Sequence, residues 1–309
     1  MNVLTLGEAL GVLRSAGRIA TSPQLDIGVG GAELNVAVGL RRLGVHTTWL
    51  GRLGTDGLGH RIRRELRSEE VELAVIDDPH PTGLILKERD ALGRTVVTYH
   101  RGGSAGSHLT PSDLEPIPWP AFDLLHITGI TPALSADAAA TVELALTLAA
   151  EHGVAVSFDI NHRASLWATD PTPTYRSIAE RSDIVFAGTD EAMFLLDDPS
   201  DDATTTARRI AARFDVEAVI KRGGDGAVAA SSGQVWDAPA VPTVVVDTVG
   251  AGDAFVAGYL AERLAGHPIP QRLNTATAAG AAACRHAGDW ENAITRTEAD
   301  TIITDPVVR

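Results

Sequence analysis

Cysteine is nearly absent from this chain. Cys284 is the only one in 309 residues, which excludes an internal disulfide and points to a reducing, cytoplasmic setting. Positive charge is also scarce: 26 basic residues face 40 acidic ones, for a net charge of −14. A surface of that sign argues against nucleic acid or an anionic membrane as partner. No uninterrupted apolar run reaches membrane length, and the N-terminus lacks a basic segment followed by an apolar one. Three chemical signatures are missing as well. There is no G-x-G-x-x-G after the first apolar run, no G-x-x-x-x-G-K-[ST] loop, and no metal spacing among the histidines and Cys284. Dinucleotide-linked redox chemistry, a P-loop and a zinc centre are therefore not expected. Lysine is reduced to Lys87 and Lys221, arginine supplying the rest of the basic residues.

What is present suits a soluble α/β protein with a sizeable core, 44% of the residues being hydrophobic and 21% charged. Residues 1–6 form an apolar first strand, and the pattern Leu34, Val38, Leu40 and Leu43 predicts a helix stopped by Gly44. Residues 47–51 read as a strand, followed by an arginine-rich amphipathic helix from Asp56 to about Glu70. Residues 82–89 and 94–100 read as a hairpin. Beyond Asp123, strands at 124–127, 154–158, 184–186 and 216–220 alternate with helices at 135–152, 189–196 and 202–213. Such alternation predicts a parallel sheet with helices on both faces, and ligands gathered beyond the carboxyl ends of the strands.

The chemistry concentrates in Asp247-Thr248-Val249-Gly250-Ala251-Gly252-Asp253-Ala254-Phe255, between Val244-Val245-Val246 and a helical stretch. The glycines let backbone amides converge on one point at a helix N-terminus, which is an anion cradle. Asp253 would repel phosphate unless its task is to take a proton from an attacking hydroxyl, so cradle and carboxylate together predict phosphoryl transfer. Gly30-Gly31-Ala32-Glu33-Leu34-Asn35 is a second glycine turn entering a helix. Lys221-Arg222-Gly223-Gly224-Asp225-Gly226 follows a strand as either a ligand loop or a hairpin turn. Arg101, after Tyr99-His100, and Arg163, in Asp159-Ile160-Asn161-His162-Arg163, stand on loops that should face one cleft. Guanidinium forks suit a carboxylate, so the pair suggests an acidic sugar. Glu191 fits either a helix N-terminal acid or a carboxylate that positions Mg²⁺ through water.

D-T-x-G-A-G-D-A-F resembles the C-terminal signature of the ribokinase-like carbohydrate kinases, also called the phosphofructokinase B family. Segments 101–107, 129–135 and 159–167 are most similar to the 2-keto-3-deoxygluconate kinases within it. The resemblance runs from Gly7-Glu8 to Gly288-Asp289. It implies one ribokinase-like kinase domain over 1–309, with a small β-sheet lid inserted at about 8–30 and 80–105 that closes over the sugar and often mediates oligomerisation. It implies substrate contacts from Gly31, Asn35, Tyr99, Arg101, Arg163 and Asp253, with Asp253 as base and the Gly250, Ala251 and Gly252 amides stabilising charge. Nucleotide contacts would come from Lys221, Gly223, Gly226, Gly250, Gly252 and Thr277, and Glu191 would serve ATP-bound Mg²⁺. A monovalent cation near Asp247 is left open. The chain departs from the pattern at Ile85 and His100, where tyrosines are usual, at Gly188, where the N-x-x-E asparagine would stand, and at Thr277 in place of asparagine. The expected activity is ATP-dependent phosphorylation of a primary hydroxyl, foremost that of 2-keto-3-deoxygluconate. A neutral-sugar or nucleoside kinase is the alternative, and a non-catalytic sensor a more distant one.

Overall fold

The computed structural model describes residues 1–198 and 202–304. Its strands are β1 (Asn2–Leu6), β2 (Leu10–Arg14), β3 (Asp26–Gly30), β4 (His46–Gly54), β5 (Glu72–Asp78), β6 (Gly83–Arg89), β7 (Thr95–His100), β8 (Leu124–Thr128), β9 (Ala155–Asp159), β10 (Ile184–Gly188), β11 (Glu217–Lys221), β12 (Ala227–Ser231) and β13 (Gln234–Ala238). The helices are α1 (Ala32–Arg42), α2 (Gly57–Ser68), α3 (Ala136–His152), α4 (Thr172–Ala179), α5 (Ala203–Phe214), α6 (Ala251–Leu264), α7 (Ile269–Ala283) and α8 (Arg296–Thr304).

Nine strands form the central sheet in the order β13-β12-β11-β10-β9-β8-β1-β4-β5. The run from β11 to β5 is parallel throughout. Leu4, Leu125, Phe158, Val185 and Ala218 pack on one face with α3, α4 and α5. Val3, Leu124, Ile184, Phe186 and Val219 pack on the other with α1, α6 and α7. Burial on both faces explains why these strands read as continuous apolar runs. Local signals set the helix ends. Ser135 accepts from the Ala138 amide at 3.1 Å to start α3, and Gly153 ends it in the left-handed region at φ 67°.

Two sequence expectations change. The helix expected over 189–196 is a single 3₁₀ turn, Asp190–Phe194. Glu191 bends its carboxylate back onto the Gly188 amide at 2.6 Å and the His162 amide at 2.7 Å, which ties the turn to the neighbouring loop instead of extending it. The sheet is also not wholly parallel, because the chain reverses after Lys221 and β12 and β13 run antiparallel. Residues 82–100 do form a hairpin, β6 and β7, which joins β2 and β3 in a second sheet of order β3-β2-β6-β7. This small sheet stands over the carboxyl ends of the central strands. Among the described residues, no helix is long and apolar enough to cross a membrane.

Candidate active site

Parallel strands deliver their last residues to one edge, and the polar residues that follow them meet there. Glu8 follows β1, Thr128 ends β8, Asp159 ends β9 and Lys221 ends β11. Above them the small sheet contributes Ile85, Lys87, Val97 and Tyr99, closing a cleft of about 280 Å³. A second cleft, of about 330 Å³ and more apolar, lies between the 223–226 turn, the Ala240–Val245 segment and α7. Lys221, Thr248 and Gly252 line both, so the clefts meet at the start of α6.

That junction is the glycine run. Gly250 caps α6 at φ 74°, a left-handed backbone, and a Cβ there would lie 1.8 Å from the Asp289 carbonyl oxygen. Only glycine fits. The amides of Gly250 and Gly252 have no acceptor among the described residues, whereas the Ala251 amide donates a long bond, 3.3 Å, to the Thr248 carbonyl. Two of the three expected amides are thus open at the helix N-terminus. The Ala251 amide is already committed to the turn.

Asp253 sits one step further, buried on the wall of the first cleft. Asn35 Nδ2 donates to its Oδ2 at 2.7 Å, and Asn161 Nδ2 to its Oδ1 at 3.2 Å. Burial pushes the carboxyl up to about 7, the Asn35 amide opposing and the charge of Asp159 adding to the rise. Asn161 takes φ 40° to reach it. Gly31 opens α1 in the same cleft at φ 149°, where a Cβ would stand 2.4 Å from the Glu8 carbonyl oxygen.

The cations of the cleft are mostly matched. Lys221 Nζ lies 2.7 Å from both carboxylate oxygens of Asp159. Burial works against this ammonium, yet the fields of Asp159 and Glu191 hold its pKa above the ordinary lysine value. Lys87 bonds Asp289 at 2.8 Å, both side chains 5% exposed, and so joins the small sheet to the segment before α8. Arg101 is ion-paired with Glu8 beneath the Tyr99 ring, 4.5 Å from its centroid. It is therefore not the free anchor that its sequence position suggested. Arg163 donates to the His162 carbonyl at 3.0 Å and has no acidic partner among the described residues.

The remaining expected residues fall around the second cleft. Gly223, Gly226 and Thr277 line it, the 223–226 turn being both the tight turn of a hairpin and a cleft wall. Both Glu191 oxygens are occupied by backbone amides, so its evident duty is to fasten two loops. Val244–Val246, the apolar lead-in, is an exposed segment rather than a strand, and Val245 faces this cleft. Asn161, Glu8, Lys87 and Asp289 were not picked out as site residues from the sequence. A usable signal existed for Glu8 and Asn161, each two residues past the end of a parallel strand, and Asn161 stood within the segment Asp159–Arg163 singled out for its position. The structure also brings together Asp78, His80 and His108, the two rings stacked with centroids 3.8 Å apart, at the root of the β6–β7 hairpin and outside both clefts.

An open amide cradle between two clefts, with a buried carboxylate on one side, defines a group-transfer enzyme that handles an anion. The chain matches the family described as pfkB family carbohydrate kinase over residues 5–296 and belongs to it. It is an ATP-dependent carbohydrate kinase. A 2-dehydro-3-deoxygalactonokinase of Haloferax volcanii is 36% identical over 86% of this chain and 83% of its own. A 2-dehydro-3-deoxygluconokinase of Bacillus subtilis is 32% identical over 96% and 93%. A fructokinase of Klebsiella pneumoniae is 38% identical over 79% of each. The crystal structure of a PfkB protein from a Polaromonas species superimposes with a TM-score of 0.86 at 30% identity, covering 97% of this chain and 99% of that one.

Proposed function

We propose that the enzyme transfers the γ-phosphoryl group of ATP to the primary hydroxyl of a 2-keto-3-deoxy sugar acid, foremost 2-keto-3-deoxygluconate, giving the 6-phosphate. The observation that carries this reading is the placement of Asp253 on the wall where the polar cleft meets the more apolar one, with the open Gly250 and Gly252 amides beside it. The sugar lies in the first cleft under the small sheet. The nucleotide lies in the second, against Gly223, Gly226 and Thr277.

Asp253 takes the hydroxyl proton. Its two oxygens are held by Asn35 and Asn161, which fixes the carboxylate for in-line attack, and a carboxylate poised near neutrality can both accept the proton and return it. The Gly250 and Gly252 amides, with the dipole of α6, stabilise charge on the transferring group. The Lys221 ammonium stands 3.7 Å from where a Gly252 Cβ would be and adds positive field there, while Asp159 keeps it in place. The acids near the cradle fit Mg²⁺ only indirectly. Asp159 is held by Lys221 and Glu191 by two amides, so the ion, carried by the phosphates, would reach Glu191 through water. When bound it neutralises phosphate charge. Closure of the small sheet over the sugar excludes water, and the Lys87–Asp289 pair joins that sheet to the segment before α8. The exposed Ile27 and Val96 on that sheet favour association of copies through it.

Arg163, which among the described residues is the one cation of the cleft without an acidic partner, is the first anchor for the substrate carboxylate, and Arg101 the second. An ATP-coupled screen of 2-keto-3-deoxygluconate, 2-keto-3-deoxygalactonate, fructose, ribose and adenosine tests the reading. Turnover of either keto acid well above the neutral compounds is expected. Turnover of a neutral sugar with neither keto acid overturns it.

A further inference from the structure

Glu8 occupies Arg101 where a substrate carboxylate is expected, and this has a consequence for binding. The pair is buried and incompletely satisfied: Glu8 Oε2 and Arg101 Nε are both shut off from water without a hydrogen-bond partner. Among the described residues, the charged groups that face Glu8 are Arg101, just past β7, and Glu33 of α1. Glu33 is itself buried, its Oε1 accepting from Thr128 Oγ1 at 2.6 Å and Thr131 Oγ1 at 2.7 Å. A ligand carboxylate arriving at Arg101 and Arg163 would be a third acid beside two buried ones. Like charges crowded in a low-dielectric pocket are relieved by protonating one of them.

We propose that Glu8 is the substrate carboxylate's stand-in on Arg101, and that binding of a sugar acid hands Arg101 to the substrate while Glu8 takes up one proton from solvent. The inference rests on the reading that Arg101 receives the substrate carboxylate. The exchange balances: one Arg101 N–H bond to Glu8 is replaced by one to the ligand, Glu8 becomes a neutral acid, and the proton returns to solvent when the ligand leaves. Burial already pushes the Glu8 carboxyl above its ordinary range, and Arg101 is what opposes that rise. A neutral sugar leaves the pair intact. Glu8 is thus a specificity-determining residue, which makes affinity for acids, and not for neutral sugars, depend on pH.

The test is calorimetric titration of the full-length enzyme with 2-keto-3-deoxygluconate, without ATP, in buffers of differing ionisation enthalpy at about pH 8.5, where Asp253 is ionised. Repeating it with Asp253→Asn removes the contribution of a second buried carboxylate of the cleft. About one proton taken up per site is expected in both, with Kd rising about tenfold per pH unit above the Glu8 pKa. Glu8→Gln should bind the acid more tightly, with little uptake and a flat pH profile, and Glu33→Gln should retain the uptake. Uptake near zero in the wild type overturns the proposal without recourse to a variant. So does equal uptake in the wild type and Glu8→Gln, or its loss in Glu33→Gln alone. Binding of fructose but of neither keto acid overturns the carboxylate reading and this inference with it, whereas keto-acid binding without uptake overturns this inference only.

Discussion

The two clefts of this kinase are built by different means. The more apolar cleft is walled by glycine turns and small side chains: Gly223, Gly226, Gly252 and Thr277. The polar cleft is crowded with charged side chains in matched pairs, Glu8 with Arg101, Asp159 with Lys221 and Asp289 with Lys87. Under the proposed assignment, backbone amides accept an anion at a fixed place. Paired side chains can be re-matched by a ligand, so on that assignment substrate choice resides in the polar cleft.

The comparison is broken most severely at the wall between the clefts. Asp253→Asn should lower kcat by ~10²–10⁴, the usual scale for loss of a general base, with little change in the KM for ATP. Steady-state kinetics with either keto acid checks this, and near-wild-type turnover would remove Asp253 from its role. Gly250→Ala comes next. A methyl group 1.8 Å from the Asp289 carbonyl, on a φ of 74°, has to displace backbone on both sides. A cost of about 1–3 kcal/mol is expected for such a conformation, read as a fall in the unfolding midpoint together with weaker ATP binding. Loss of ATP affinity with sugar binding intact would confirm that the two halves are separable.

Arg163→Ala sharpens the sugar side. Removing one charge-assisted contact worth about 1.5–3 kcal/mol should raise KM for a keto acid by about 10- to 150-fold, and leave that for a neutral sugar nearly unchanged. Equal effects on both would mean that the arginine does not read a carboxylate. The smallest effect is on pH. Because Asp253 is pushed up to about 7 and must be unprotonated to act, activity is expected to fall as pH drops through that value, by about tenfold per pH unit below it. A kcat/KM profile with no inflection between pH 6 and 8 would count against the assignment.

The fold and the cradle were readable in advance because both are local. Strands buried on both faces must be apolar throughout, and a helix that starts on an anion must start on glycine, so residues 124–127, 154–158 and 247–255 announce themselves. The 3₁₀ turn at Asp190–Phe194 did not, since what halts the helix is a tertiary bond from Glu191 to the His162 loop. Nor did the antiparallel pair β12 and β13, because a Gly-rich segment after a strand is compatible with a ligand loop and with a hairpin, and here it is both. Arg101 was placed correctly in the cleft but not in its bonding. Its partner, Glu8, is 93 residues away in the chain.

The amino-acid sequence by itself therefore determined the layered α/β architecture, the glycine-rich start of α6 and the position of Asp253 beside it. These depend on residue type and spacing within single elements. Only the tertiary structure decided which charges are spoken for: Lys221 by Asp159, Lys87 by Asp289, Arg101 by Glu8, with Arg163 left without an acidic partner among the described residues. Ion pairing in a cleft depends on distances of a few ångströms between side chains from different strands. Chain order does not encode those distances until the sheet has brought the strand ends together.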